Sequence, residues 1–266
     1  MSATHVFELK DVSYSYINQA HGLKDISMEI DEGEAVTILG ANGSGKSTLL
    51  KLLDGLYFPS KGNVKAFGHQ LTEAAFRDQD FAKDFRRRVG LVFQDPDVQL
   101  FLPKVYDEIA FAPLQMGYSK EEVQLRVKEA IDVLGIDKLK DRAPYHLSEG
   151  EKKKVALASI LTLSPDVWLL DEPTASLDPK TQSWVIDFLL DLSQQGKTLI
   201  IATHDLEIAY LVSKKCYVLG ENHEILRKGD AQDILNDRDL LLSANLIHAH
   251  RHFHNGQMHT HEHRHW

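Results

Sequence analysis

Apolar residues recur along this chain with two different periods, and the change from one to the other marks out its elements. Alternating or short continuous apolar runs predict strands at Val6-Phe7-Glu8-Leu9, Val12-Ser13-Tyr14-Ser15-Tyr16, Ile26-Ser27-Met28-Glu29-Ile30 and Val36-Thr37-Ile38-Leu39. Further strands are predicted at residues 63–68, 89–93, 167–170 and 198–202, with a last pair at 216–219 and 224–228. Helical spacing of Val123, Val127, Ala130, Ile131 and Leu134 predicts a helix from Lys120 to Leu134. Others are expected at 105–114, from Ser148 to Leu163, and at 181–194, 206–212 and 231–236. The early strands, turned by Asp31-Glu32-Gly33-Glu34, predict an antiparallel layer. The later alternation of strand and helix predicts a largely parallel sheet with crossovers, interrupted by an inserted helical subdomain over about residues 95–163. In the charged stretch 72–88, Arg86-Arg87-Arg88 reads as a solvated helix end rather than a binding patch.

One strand leads directly into chemistry. Gly40-Ala41-Asn42-Gly43-Ser44-Gly45-Lys46-Ser47 fits G-x-x-x-x-G-K-[ST], with an apolar strand before it and Thr48-Leu49-Leu50 opening a helix after it. Glycines let backbone N–H groups close around a polyphosphate, and the helix N-terminus adds its dipole. Lys46 is placed to reach the β- and γ-phosphates and the Ser47 hydroxyl to hold Mg2+. Gly40, Asn42, Gly43, Ser44, Gly45, Lys46, Ser47 and Thr48 are therefore the candidate nucleotide contacts. The strand 167–170 delivers Asp171 and Glu172 to the carboxyl edge of the sheet, where an open α/β fold keeps its ligand. There Asp171 can hold the Mg2+ shell, and Glu172 can orient an attacking water. Tyr16, the last aromatic before a polar loop, is either an adenine platform or a partly buried strand residue.

Composition narrows the partners. With 266 residues, 43% of them hydrophobic, the chain can fill a sizeable core, and its net charge of −9 leaves no domain-wide basic field for nucleic acid. A single cysteine, Cys216, fits a reducing compartment, and no apolar run approaches the length that spans a bilayer. Any work at a membrane is expected to pass through a partner.

Read in order, Gly40 to Ser47, Gln94, Leu147-Ser148-Glu149-Gly150-Glu151, Leu169-Leu170-Asp171-Glu172-Pro173, Ser176-Leu177-Asp178 and His204 resemble the motifs of an ABC transporter ATPase. The resemblance covers about residues 4–236 and implies an α/β, P-loop NTPase (RecA-like) core with an N-terminal antiparallel β layer and the inserted α-helical subdomain. The ATPase domain is expected over 1–236 and a histidine-rich tail over 237–266. ATP and Mg2+ are the implied cofactors. By the same resemblance Tyr16 is similar to the adenine-stacking aromatic, and Gln94 to the residue that joins Mg2+ and water to the transmembrane partner. Glu172 and His204 match the catalytic carboxylate and the switch histidine, and Ser47, Gln94 and Asp171 the Mg2+ set. Ser148 and Gly150 match the signature motif that faces the ATP of a second subunit, and Asp178 the loop coupling two sites. One departure stands out: Glu149 occupies a glycine position beside the expected triphosphate, where its charge repels phosphate unless the side chain turns outward.

The stretch Phe93-Gln94-Asp95-Pro96-Asp97-Val98-Gln99-Leu100-Phe101 resembles energy-coupling-factor ATPases, and Leu147 to Ala158 the cobalt and nickel branch. This implies a peripheral protein on the cytoplasmic face of the membrane. It would join integral membrane transport subunits and a second ATPase subunit to import nickel or cobalt. A vitamin substrate, or a soluble non-transport ATPase with a metal-storing tail, are the alternatives.

The tail adds an observation of its own. His248, His250, His252, His254, His259, His261, His263 and His265 alternate strictly in two groups around Asn255-Gly256, a strong hairpin signal. Pairing about that turn sets His252 against His259, His250 against His261 and His248 against His263. Opposed imidazoles suit nickel, copper, zinc and cobalt. Two readings stay open at this point: a metal-folded hairpin, or a flexible tail with incidental metal affinity.

Overall fold

The computed structural model describes residues 5–16, 21–254 and 257–263, with backbone alone for His21 and for 248–263. In chain order the elements are β1 (His5–Ser15), β2 (His21–Asp31), β3 (Ala35–Gly40), α1 (Lys46–Leu53), β4 (Lys61–Ala66), β5 (His69–Gln70), α2 (Gln79–Arg88) and β6 (Val89–Val92). Then come α3 (Val105–Met116), α4 (Lys120–Leu134), α5 (Glu149–Leu161), β7 (Val167–Asp171), α6 (Pro179–Gln194), β8 (Thr198–Thr203) and α7 (Leu206–Val212). The chain ends in β9 (Lys215–Leu219), β10 (Ile225–Asp230), α8 (Ala231–Asn236), α9 (Arg238–Ser243), β11 (His248–His254) and β12 (Gln257–His263). Two compact units divide it, Met1–Leu71 with Ile200–Trp266 and Thr72–Leu199, and β8 runs across the division.

In the first unit the expected antiparallel layer is a sheet ordered β2-β1-β4-β5. The two runs expected before the first loop are one strand, β1, whose register with β2 shifts between Leu9 and Val12. A bulge of this kind keeps a long strand paired while it bends. β3 is buried at every position and pairs in parallel with β9, which in turn takes β10 antiparallel. Continuous burial explains why β3 reads as a continuous apolar run rather than an alternating one. Cys216 lies inside this layer, and burial pushes its thiol up to about 12, so it is an inert packing residue.

The packed part of this unit extends past the expected limit at residue 236. α9 is capped by the Asp237 carboxylate, which accepts from the Leu240 N–H, and Leu241, Ala244, Leu246 and Ile247 join a buried cluster with Ala231 and Ile234. The chain is thus anchored immediately before His248.

In the second unit β6 and β7 run parallel, Val89 opposite Val167 through Val92 opposite Leu170. Behind them Trp168 is fully buried with its ring edge against Phe188 at 5.7 Å. α4 buries the five residues its spacing predicts, Val123, Val127, Ala130, Ile131 and Leu134. Its start is set by a capping box between Ser119 and Glu122, and its end by left-handed Gly135. α2 ends on the three arginines, of which Arg87 pairs with Asp84 at 2.8 Å and Arg88 with Asp166 at 2.9 Å, as a solvated helix end should.

Candidate nucleotide site

In the first unit the loop after β3 is built almost wholly from backbone. Gly43 and Gly45 have φ of 84° and 108°, and a side chain at Gly45 would meet the Gly22 carbonyl at 2.6 Å. A side chain at Gly40 would meet the Ser44 hydroxyl at 2.4 Å and the Leu219 carbonyl at 3.0 Å, so the loop leaves little room for one. Lys46 is buried, its ammonium donating to the Gly40 carbonyl at 2.8 Å and the Ala41 carbonyl at 3.2 Å. The amine therefore folds over the rim of the loop. Gly45 caps α1 without a side-chain acceptor, leaving the first-turn N–H groups directed into the loop. Ser44 Oγ is buried with no hydrogen-bond partner among the described residues. A ring of N–H donors, an ammonium and an orphaned hydroxyl at a helix N-terminus fit a polyphosphate.

Beside this loop the Tyr16 hydroxyl hydrogen-bonds the Thr48 hydroxyl at 2.7 Å, tying two candidate residues together. Tyr16 is half-buried, and its ring lies edge-on to Tyr14 at 5.1 Å and to Tyr57 at 6.0 Å. Tyr57 stacks on Tyr14 at 5.0 Å, and nothing in its local sequence signals that partnership. His223, on the turn between β9 and β10, hydrogen-bonds the Ser44 carbonyl oxygen at 3.1 Å through Nδ1 and so braces the loop from a distant segment. His204 follows β8 and is exposed, with Thr203 Oγ1 accepting from the Asp205 N–H at the start of α7.

The second unit holds the other half of the motif set. Because Val92 and Leu170 pair in register, Gln94 and Glu172 each lie two residues beyond a paired position at the carboxyl ends of neighbouring strands. Asp171 and Glu172 are both buried, and Glu172 has φ of 42°. A non-glycine residue held in the left-handed region costs about 1–3 kcal/mol and is characteristic of functional positions. Gln94 is exposed. A hydroxyl, an amide oxygen and a carboxylate from Ser47, Gln94 and Asp171 are hard oxygen donors of the kind Mg2+ takes.

The lysines after the signature motif carry a role that its spacing does not reveal. Lys153 is 1% exposed, and its Nζ donates to the Gln94 carbonyl at 2.8 Å and the Phe93 carbonyl at 3.1 Å. Burial pushes this ammonium down to about 8, against the opposing pull of Asp171, Asp95 and Glu149. Lys152 donates to Asp97 at 2.8 Å and to Glu149 at 3.0 Å, and those two bonds raise its pKa. Gln99 completes the strap: its side chain accepts from the Phe93 N–H and donates to the Ala156 carbonyl at 3.0 Å and to Ser159 Oγ at 3.1 Å. Helix α5 thus holds the segment after β6 by three side chains. Glu149 turns to Lys152, so its charge is compensated at the place where a bare carboxylate would repel phosphate.

Ser148 caps α5 in a reciprocal box with Glu151, accepting from the Glu151 N–H at 3.3 Å while the Glu151 carboxylate accepts from the Ser148 N–H at 2.9 Å. This is the Ser-x-x-Glu signal in Ser148 to Glu151, and it gives Glu151 a structural role. At Gly150 a side chain would meet Thr181 at 3.1 Å, which keeps α5 close to the start of α6. Asp178 caps α6, accepting from the Thr181 hydroxyl at 2.6 Å and the Lys180 N–H at 3.0 Å, and the Thr181 bond holds its carboxyl below the usual range. Ser148, Gly150 and Asp178 line one cavity of about 410 Å3. Gln94, Glu149, Lys153 and Ser176 line another of about 150 Å3.

A strand, a glycine cradle with its lysine, a carboxylate pair at a strand end and a capped signature helix define an ATP-binding cassette. Residues 23–175 match the family model described as ABC transporter, and the chain belongs to that family and is an ATPase. It is 52% identical over 252 residues to a protein of Methanosarcina acetivorans named only as an ABC transporter ATP-binding protein, covering 94% of this chain and 91% of that one. It is 46% identical over 247 residues to the nickel import ATP-binding protein NikO of Rhodobacter capsulatus, covering 92% of this chain and 96% of NikO. Among solved structures, CbiO1 of Clostridium perfringens, part of the ABC transporter complex CbiONQ, aligns at a TM-score of 0.76 and 35% identity over 91% of this chain and 95% of its own. Among the described residues no helix is long and apolar enough to cross a membrane.

Proposed function

We propose that this ATPase energises import of a transition-metal cation, nickel or cobalt, as a peripheral subunit on the cytoplasmic face of the membrane. The observation that carries the reading is the 46% identity to NikO across nearly the full length of both chains. The stretch Phe93 to Phe101, with its energy-coupling-factor character, points the same way.

In this reading the N–H groups of residues 42–47, Ser44 Oγ and Lys46 bind the phosphates of ATP, and Thr48 positions Tyr16 beside the adenine. Ser47, Gln94 and Asp171 would hold Mg2+, which would supply charge neutralisation. Glu172 orients and polarises the attacking water, and its strained backbone keeps the carboxylate in one place. His204 contacts the γ-phosphate. Ser148 and Gly150 face the ATP of a second ATPase subunit, and Asp178 couples the two sites. Gln94 reports on the nucleotide to the membrane partner. Its backbone is fastened to α5 by Lys153, so movement of the signature helix and of Gln94 is linked.

The membrane partner has a surface to meet. Val98, Phe101, Phe111 and Leu114 are exposed, with Phe101 and Phe111 in edge contact at 5.2 Å. Exposed aromatic and aliphatic side chains on this scale mark a docking face. A coupling helix of an integral membrane subunit is the occupant this function requires.

Uptake of radioactive nickel and cobalt by cells carrying the intact protein or Glu172→Gln tests the reading. Loss of accumulation with Glu172→Gln is the expected result. Accumulation at the wild-type rate with both ions would overturn it.

A further inference from the structure

β11 and β12 pair antiparallel in one uninterrupted register: His248 opposite His263, Ala249 opposite Glu262, His250 opposite His261, Arg251 opposite Thr260, His252 opposite His259, Phe253 opposite Met258 and His254 opposite Gln257. This is the register expected from the alternation, while the Asn255-Gly256 turn and His265 lie outside the described residues. Because strand residues alternate between faces, the pairing sorts the hairpin by chemistry. One face carries His248, His250, His252 and His254 on one strand and Gln257, His259, His261 and His263 on the other. The opposite face carries the remaining, non-histidine pairs.

From this arrangement we propose that the tail is a binding site for divalent late transition-metal ions, made by the three cross-strand histidine pairs. Directly opposed residues have Cβ atoms about 4.5–5.5 Å apart, and successive pairs on one face recur at about 7 Å. Imidazole nitrogens bind late transition metals at about 2 Å, so residues at these spacings are close enough for more than one histidine to share an ion. Imidazole nitrogen selects nickel, cobalt, copper and zinc over magnesium or calcium, so the ATP-bound Mg2+ does not compete. A two-stranded hairpin alone is marginal in water, which makes metal the main stabiliser of this register. Among the residues whose side chains are described, no group of three or more His, Cys, Asp or Glu is set to hold a metal. The hairpin starts directly after Leu246 and Ile247, both buried in the first unit, so a bound ion stays tethered to the ATPase. The site stands on the register and does not depend on which substrate is imported.

A register test separates it from a flexible histidine-rich tail. Removing Met258 keeps every histidine but shifts those of β12 by one position, onto the face opposite their partners. The full-length protein, this deletion and a chain ending at Ile247 are titrated with nickel chloride by calorimetry. We expect at least one nickel per chain in the full-length protein, binding weakened about tenfold or more by the deletion of Met258 (about 1.4 kcal/mol), and loss with the shortened chain. Nickel is also expected to increase the strand signal in circular dichroism for the full-length protein and not for the deletion. Equal nickel affinity with and without Met258 would overturn the paired site, and unchanged binding after removal of residues 248–266 would place the metal elsewhere.

Discussion

The phosphate cradle in the first unit and the strap between α5 and the segment after β6 in the second are built by opposite means. The cradle is backbone: Gly43 and Gly45 at positive φ, carbonyls under Lys46 and N–H groups at the start of α1. The strap is side chain: Lys152 and Lys153 reach from α5 to residues 93–97, and Gln99 reaches back to α5. A backbone cradle tolerates no change at a few positions and ignores the rest. A side-chain strap can be retuned residue by residue, and here it absorbs Glu149, a residue that would otherwise face phosphate alone. In the proposed function, binding falls to the backbone cradle and coupling to the side-chain strap.

Changes to the cradle should have the largest effect. Lys46→Ala is expected to lower ATP turnover by about a hundredfold or more, as loss of one preorganised charge does. Gly45→Ala should abolish measurable nucleotide binding, because it adds both a left-handed penalty and a 2.6 Å approach to the Gly22 carbonyl. Nucleotide titration of a correctly folded Gly45→Ala protein that binds ATP normally would break the distinction.

The strap should respond next, through pH. Lys153 has its folded pKa depressed by burial to about 8 from the ordinary lysine value of 10.5, so it disfavours folding while protonated in both states. That cost is relieved as pH rises from about 8 toward the unfolded value, since the unfolded chain then binds the extra proton. Denaturant unfolding should show wild type gaining about 2 kcal/mol on Lys153→Met between roughly pH 7 and 9.5. A pH-independent difference would mean that Lys153 is not buried in charged form. Ser148→Ala removes the α5 cap and should cost about 1 kcal/mol in the same assay. Smallest of all, Glu149→Gly should change stability by under about 1 kcal/mol, because Glu149 is 53% exposed in its pair with Lys152. A loss of several kcal/mol would show the pair to be more than a surface contact.

What the sequence made legible follows the same division. The cradle, β3 and α1 could be read because glycine spacing, a buried strand and a helix start are encoded within a dozen consecutive residues. The same holds for α4, whose five buried positions are its periodic ones, and for the tail register, which strict alternation about one turn dictates. α9 escaped because Arg238–Ser243 is too short to show a period, and α2 showed only its charged end because only Phe85 among its residues is buried. In the site, Glu151 carried a readable signal as the partner of Ser148 in a capping box. Lys152, Lys153 and His223 did not, because their partners lie 55, 59 and 179 residues away along the chain. The left-handed backbone at Glu172 is likewise set by the surrounding structure and has no local signature.

The central claim is that the cradle binds ATP while Glu172 turns it over. Purified wild type and Glu172→Gln, compared for ATP affinity and for phosphate release, test it most directly. Glu172→Gln is expected to keep wild-type affinity with phosphate release reduced about a hundredfold or more. Phosphate release at the wild-type rate in Glu172→Gln would contradict it.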